Sequence, residues 1–215
     1  MATNLRRQHV SDLPIAAVDL SHPDDSWKNC TPLLSTEKAT VRGLLPEDAG
    51  SLFALCTTEP VGRFIWPPPS SAARFEQFID WTRDQQNSGR QVCFAVVPPG
   101  ETTAAGLIQV RQLEPNFVSA EWGFVVGERY WGTGLFMSAA QLVLEFLFNT
   151  VGVNRLEART VITNCRANGA LKKLGAVQEG VLRKGFCTDG RRFDQYMWSI
   201  LAEDWNAPYD LRQFH

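Results

Sequence analysis

With 215 residues, 44% of them hydrophobic and 20% charged, the chain can bury one sizeable core, and its length fits one domain or at most two. Lys and Arg number 21 against 23 Asp and Glu, a net charge of −2, which argues against a nucleic-acid binder that relies on a phosphate-neutralising face. Five scattered cysteines (Cys30, Cys56, Cys93, Cys165, Cys187) form no Cys-x-x-Cys pair, and the three histidines (His9, His22, His215) sit near the ends. That pattern disfavours a disulfide framework, a metal site and a histidine relay, and the expectation is a reduced, cytoplasmic protein. Arg6 and Arg7 are followed by no apolar leader segment, and no apolar run approaches about 18 residues, so neither a signal peptide nor a membrane span is expected.

Residues 1–35 show no sustained period and carry Pro14, Pro23 and Pro32, yet Leu13, Ile15, Val18, Leu20 and Trp27 make them apolar enough to pack as an arm on the domain or on a partner subunit. Residues 36–43 read as a first strand, and residues 46–57 as a helix opened by Pro46-Glu-Asp48. The run Phe64-Ile-Trp-Pro-Pro-Pro69 predicts a rigid aromatic loop, after which Ser70 or Ser71 caps a helix whose Phe75, Phe78, Ile79 and Thr82 recur at helical spacing. Val92, Phe94 and Val96 alternate as a strand over residues 91–97, and Pro98-Pro-Gly100 turns it toward strands over residues 104–113 and 119–126. Residues 135–148 form a broadly apolar helix, which must pack on a sheet. A strand over residues 155–162, a short helix ending before Gly175, and strands over residues 176–184 and 193–201 joined through Asp189-Gly190 complete the order. Residues 206–215 read as a tail.

Between the third of the three consecutive strands and the apolar helix stands Arg129-Tyr-Trp-Gly132-Thr-Gly134. Two glycines in a strand-to-helix turn let a phosphate approach bare N–H groups, and the helix start adds the positive end of its dipole. Two close glycines also occur in plain turns, so the loop alone does not decide its use.

The loop and its surroundings resemble the coenzyme A pyrophosphate segment, Arg-x-x-Gly-x-Gly, of the GNAT acyltransferase superfamily. Downstream, the run from Asn164 through Ala167, Lys173 and Gly175 to Gly180 and Arg183 is similar to the Asn-x-x-Ser/Ala…Lys-Leu-Gly…Glu-Gly…Arg segment of that superfamily. It looks most like the branch that holds the Rim-type ribosomal-protein N-terminal acetyltransferases. Residues 36–48 and 190–205 fit the same pattern, so the resemblance covers residues 36–205. It implies an α+β fold: a mixed, mostly antiparallel twisted sheet of about seven strands, with helices on both faces and two splayed parallel strands, residues 119–126 and 155–162. It also implies acetyl-CoA as co-substrate, its pantetheine pairing with the open strand edges.

On this resemblance, Gly132, Thr133, Gly134 and Leu135 hold the pyrophosphate through their backbone N–H groups, Arg129 and Tyr130 fix the loop, and Val125, Val126, Asn164 and Lys173 complete the coenzyme site. Glu121, which opens the strand before the loop, and Glu157, in the next splayed strand, are the two candidates for general base; each could equally be an ion-pair partner. Asn164 either binds the thioester region or caps the helix that follows it. The general-acid tyrosine of many relatives falls at Leu171, and the serine of the Rim-type branch at Ala167. Loss of that acid is tolerable because a thiol of pKa about 8.5 to 10 leaves readily as thiolate. Cys165 has no histidine to activate it as a nucleophile.

The acceptor mouth implied by the fold is formed by Phe64, Trp66, Pro67 to Pro69 and the residues around Phe186. Its aromatic character favours a peptide or protein α-amine; a small-molecule amine, such as an aminoglycoside, would call for an acidic pocket. A coenzyme-binding sensor without catalysis, and a scaffold whose arm mediates dimerisation, remain alternatives.

Overall fold

A computed structural model describes residues 25–206. The arm over residues 1–24 and the tail beyond Asn206 therefore lie outside the described residues. Eight strands form one sheet: β1 (Leu34–Ser35), β2 (Thr40–Gly43), β3 (Gln91–Val97), β4 (Gly106–Gln112), β5 (Ser119–Val126), β6 (Arg155–Val161), β7 (Val177–Thr188) and β8 (Arg191–Leu201). Their order is β1-β2-β3-β4-β5-β6-β8-β7, and every neighbouring pair is antiparallel except β5 and β6.

The helices are α1 (Asp48–Cys56), α2 (Glu59–Gly62), α3 (Ala72–Asn87), α4 (Leu135–Phe146), α5 (Cys165–Lys173) and α6 (Ala202–Asn206). Strand β3 is buried on both faces, and its alternation separates the two layers. Val92, Phe94 and Val96 meet the α4 side, with Ala139, Ala140, Val143 and Leu144. Cys93, Ala95 and Val97 meet the α1–α3 side, with Leu52, Phe75 and Ile79. The small Ala139 and Ala140 let α4 lie close against the sheet, and both are fully buried. Burial also pushes the Cys56 and Cys93 thiols up to about 12, so both act as inert core groups.

Polar contacts lock these layers together. Asp48, with no exposed surface, takes both terminal guanidinium nitrogens of Arg42 at 2.7 and 2.9 Å, together with the N–H groups of Leu45 and Ala104. A buried carboxylate satisfied on four sides ties α1 to β2 and to the β3–β4 connection. At the other end of the described chain, Trp27 is buried edge-on to Phe117 at 5.3 Å, and its carbonyl accepts from Gln86.

Several boundaries differ from the sequence reading, each for a local reason. The first strand, expected over residues 36–43, is shortened to β2: Thr36 Oγ1 accepts from the N–H groups of Lys38 and Ala39, closing a turn, and the two-residue strand β1 precedes that turn. This added edge strand makes eight strands rather than about seven. The stretch after Thr58 begins as the short helix α2, with Pro60 in its first turn, before the aromatic loop. Helix α4 does not run to residue 148 as a plain α-helix; Leu147–Val151 form a π-helical turn that ends at Gly152. The final hairpin is longer than expected, with its turn at Asp189 and Gly190 in the left-handed region (φ 48° and 71°), as the dipeptide predicts.

Candidate active site

The site is built on a defect in the sheet. Strands β5 and β6 pair only through Ser119–Arg155, Ala120–Leu156 and Glu121–Glu157. Beyond that point each strand keeps its outer partner: β5 stays on β4 up to Val126–Gly106, and β6 stays on β8 up to Val161–Gln195. The inner edges of residues 122–126 and 158–161 therefore diverge, leaving backbone donors and acceptors that need a partner. A cavity of about 660 Å³ opens along this wedge. Phe124, Val125 and Val126 form one wall, and Asn164, Ala167 and Ala170 another.

One end of the cavity is the turn between β5 and α4. Gly134 sits at φ 89°, in the left-handed region, and as the N-cap of α4 it offers no side chain to the first-turn N–H groups. Gly132, at φ 77°, also lines the cavity. Bare amides at a helix start, opened by two residues without Cβ, form a cradle for an anion. Two cations stand beside it, and a third lines the same cavity. A Cβ built on Gly134 would lie 3.6 Å from Lys38 Cδ and 4.0 Å from its Nζ. The Arg166 guanidinium stacks 4.0 Å above the Trp131 ring, and Arg166 and Lys173 both line the cavity. A cation beside a helix N-terminus opposes the dipole unless an anion lies between them.

The turn itself is braced from behind. Glu101, in the β3–β4 connection, accepts from Arg129 at 2.7 Å and from the Tyr130 hydroxyl at 2.7 Å. Arg129 also stacks on the Tyr130 ring at 4.5 Å, and its pKa is raised, chiefly by the Glu101 hydrogen bond. Partial burial, then the Glu101 contact, raises the Tyr130 hydroxyl. Thr133 Oγ1 donates to the Tyr130 carbonyl at 2.7 Å, and Trp131 Nε1 to the Val126 carbonyl at 2.9 Å.

Among the residues expected at the coenzyme site, Val125, Val126, Tyr130, Gly132, Gly134, Asn164 and Lys173 line the cavity. Arg129, Thr133 and Leu135 lie outside its wall: Arg129 is engaged by Glu101, Thr133 closes the turn, and Leu135 is buried in the core. Asn164 Oδ1 accepts from the Ala167 N–H at 3.2 Å as the N-cap of α5. Leu171 is fully buried in the core beneath α5, so the position of the relatives' tyrosine faces away from the cavity here.

Both candidate bases lie where β5 and β6 close. Glu121 and Glu157 are direct partners in the last rung of the ladder. Glu121 bonds Arg111 and stands 3.6 Å from Arg159 Nε, while Glu157 accepts from Arg155 Nε at 2.9 Å. Arg155 also grips Glu179 with two hydrogen bonds, at 2.7 and 2.5 Å. That grip, helped by Ser199, holds the Glu179 carboxyl down to about 2.

Of the residues expected at the acceptor mouth, Phe64 lines the cavity, whereas Trp66 and Phe186 lie outside its wall and meet each other at 5.1 Å between ring centres. Trp66 is 63% exposed and Phe186 is buried, so the pair bridges the loop after α2 to the β7–β8 hairpin.

The sequence reading missed Lys38, Glu101, Arg166 and Asn168. Asn168 Nδ2 donates to the carbonyls of Val161 and Ile162, and its Oδ1 accepts from Trp198 Nε1 and is also bonded to Thr160. It thereby satisfies the free end of β6 while that strand stands apart from β5. Its signal was a second asparagine one helical turn after Asn164. Lys38 and Glu101 carried no local signal, because both reach the turn from distant strand connections.

Residues 38–177 match the family model described as the acetyltransferase (GNAT) domain. The chain belongs to the GNAT acetyltransferase family. This member is 25% identical over 173 residues to the uncharacterized N-acetyltransferase p20 of Bacillus licheniformis, covering 80% of this chain and 97% of that one. Among solved structures, it is similar to the ribosomal-protein-S5-alanine acetyltransferase of Vibrio fischeri, with a TM-score of 0.71 at 19% identity over 82% of this chain and 100% of the other. It is also similar to the microcin C7 self-immunity acetyltransferase MccE, solved with acetyl-CoA and AMP, with a TM-score of 0.69 at 17% identity over 77% and 93% of the two chains. At these identities the two structures speak for the fold, which is the mixed sheet with helices on both faces. GNAT acetyltransferases use acetyl-CoA, and the bare amides at Gly134, the nearby cations and the open strand edges fit its diphosphate and its amide-bearing arm. Among the described residues, no helix is long and apolar enough to cross a membrane.

Proposed function

We propose that this acetyltransferase moves the acetyl group of acetyl-CoA directly to a primary amine, the α-amine at the start of a peptide or protein. The observation that carries this reading is the wedge between β5 and β6, with an anion cradle at its open end and a carboxylate at its vertex. Acetyl-CoA supplies the acetyl group as an activated thioester. The Gly132–Leu135 amides, with Lys38, Arg166 and Lys173, hold the diphosphate, and the unpaired edge of β5 orients the arm. At the last paired rung Glu121 lies on the same sheet face as Val125, toward α1 and α3, where it would face the acetyl end of the arm.

Glu121 acts as general base: it takes the proton released as the amine nitrogen bonds to the acetyl carbon, while the carbon–sulfur bond breaks and the electron pair leaves with sulfur. Both carboxylates are engaged by arginines, Glu121 by Arg111 and Arg159 and Glu157 by Arg155; Glu157 ranks second because Glu121 stands on the strand that leads into the glycine turn. With Leu171 buried, the sulfur leaves as thiolate or takes its proton from solvent.

The aromatic mouth favours a peptide over a polycationic drug. Incubation with acetyl-CoA and short peptides tests the reading: free thiol and a peptide acetylated at its first residue should appear together. Tight coenzyme binding with no acetylation of any amine would instead support the sensor alternative.

A further inference from the structure

The acceptor side carries a charge that the coenzyme does not account for. A second hollow of about 270 Å³ adjoins the coenzyme cavity, shares Arg63, Phe64 and Thr163 with it, and is completed by Val161 and Phe193. None of its walls comes from the glycine turn, and Arg63 alone among them is charged. The diphosphate cradle therefore does not explain this cation, and the arm and thioester of acetyl-CoA are neutral where they approach the vertex.

Arg63 follows directly on α2 and is held in a usable orientation. Its guanidinium carbon lies 4.6 Å from the centre of the Phe64 ring, and stacking on an aromatic face leaves the N–H edges of the fork pointing sideways. Its carboxylate neighbour, Glu59, is 3.7 Å away, with side chains 57% and 77% exposed, a pairing that water screens and that an incoming anion can replace. Arg191 adds a second cation at the rim. It lies two residues from Phe193, on the same face of β8, and Phe193 pairs with Phe186 beneath Trp66. Every charged residue lining the two hollows is a cation.

We propose that Arg63 binds a carboxylate on the acceptor close to the reacting amine, so that the preferred substrates are peptides with Asp or Glu next to their first residue. The inference rests on the peptide α-amine reading above and makes it narrower. Arg63 holds that carboxylate through the planar fork, Phe64 and Phe193 cover the adjoining apolar part, and Arg191 favours further acidic residues along the chain.

The test uses full-length protein and three peptides that differ only in having Glu, Gln or Lys as their second residue. Acetylation should favour Glu over Lys by about tenfold or more in kcat/KM, carried by KM, the scale of one charge-assisted hydrogen bond. Arg63→Gln should flatten the preference, Arg63→Lys should keep its direction, and Arg63→Glu should invert it. A simple packing defect would weaken all three peptides alike. An unchanged order in Arg63→Glu, a wild-type preference for Lys, or no transfer to the Glu peptide would overturn the proposal. Calorimetry with acetyl-CoA on the same proteins separates the two levels: failure of the wild type to bind it would strike the underlying reading, whereas sound binding with a charge preference that ignores Arg63 strikes this inference alone.

Discussion

At one end of their contact, β5 and β6 are joined by backbone hydrogen bonds and by Glu121, which pairs with Arg111 of β4 and Arg159 of β6, while Arg155 of β6 pairs with Glu157 and with Glu179 of β7. At the other end the same two strands face an apolar cavity, with their inner edges open and a glycine turn beyond them. The closed end spends its polar groups on one another, so it sets where the strands part. The open end leaves the inner edge of β5 without a strand partner, so it is where a ligand can bind. Stability and function are thus divided along a single pair of strands, with Glu121 at the boundary.

That division is broken most sharply at Glu121. Replacing it with Gln keeps the shape but removes the proposed base, and kcat for peptide acetylation should fall by about 10²- to 10⁴-fold while acetyl-CoA affinity holds. An equal loss in Glu157→Gln and none in Glu121→Gln would move the boundary one strand over. Gly134→Val comes next. At φ 89° a β-branched residue is strained and distorts the turn that presents the amides, so coenzyme affinity measured by calorimetry should drop by roughly 100-fold, with the unfolding transition still cooperative.

Asn168→Ala sharpens the comparison from the open side. It removes the side-chain donor to the Ile162 carbonyl and one of the two donors to the Val161 carbonyl at the end of β6, and denaturant unfolding should show a loss of about 1–3 kcal/mol. The smallest effect belongs to the closed end. Glu179 is held at about 2 against an ordinary 4.5, so its contribution is complete above pH 4.5 and is lost as pH falls toward 2. Glu179→Gln should therefore lose less stability than the wild type between pH 5 and pH 2, read from denaturant midpoints across that range.

Part of this arrangement was legible from local chemistry: the glycine turn, the apolar α4 and the Asp189-Gly190 hairpin each follow from residue types at short spacing. The parting of strands 119–126 and 155–162 was instead implied by the resemblance to the GNAT fold. What escaped needed contacts between distant segments. Lys38 reaches Gly134, and Glu101 reaches Arg129, only because the strand connections converge over the start of α4. The hydroxyl of Thr36 closes a turn at the start of a run that otherwise reads as a single strand. Arg129 illustrates the converse: its place in the glycine motif pointed to the coenzyme, while Glu101, 28 residues away, supplies a carboxylate that engages it from outside the cavity.

Amide hydrogen–deuterium exchange with and without acetyl-CoA tests the central claim most directly, because it reads the open backbone itself. Coenzyme should slow exchange at residues 122–126 and 132–136 and leave the paired residues 119–121 unchanged. Bound acetyl-CoA that protects neither segment would contradict the account.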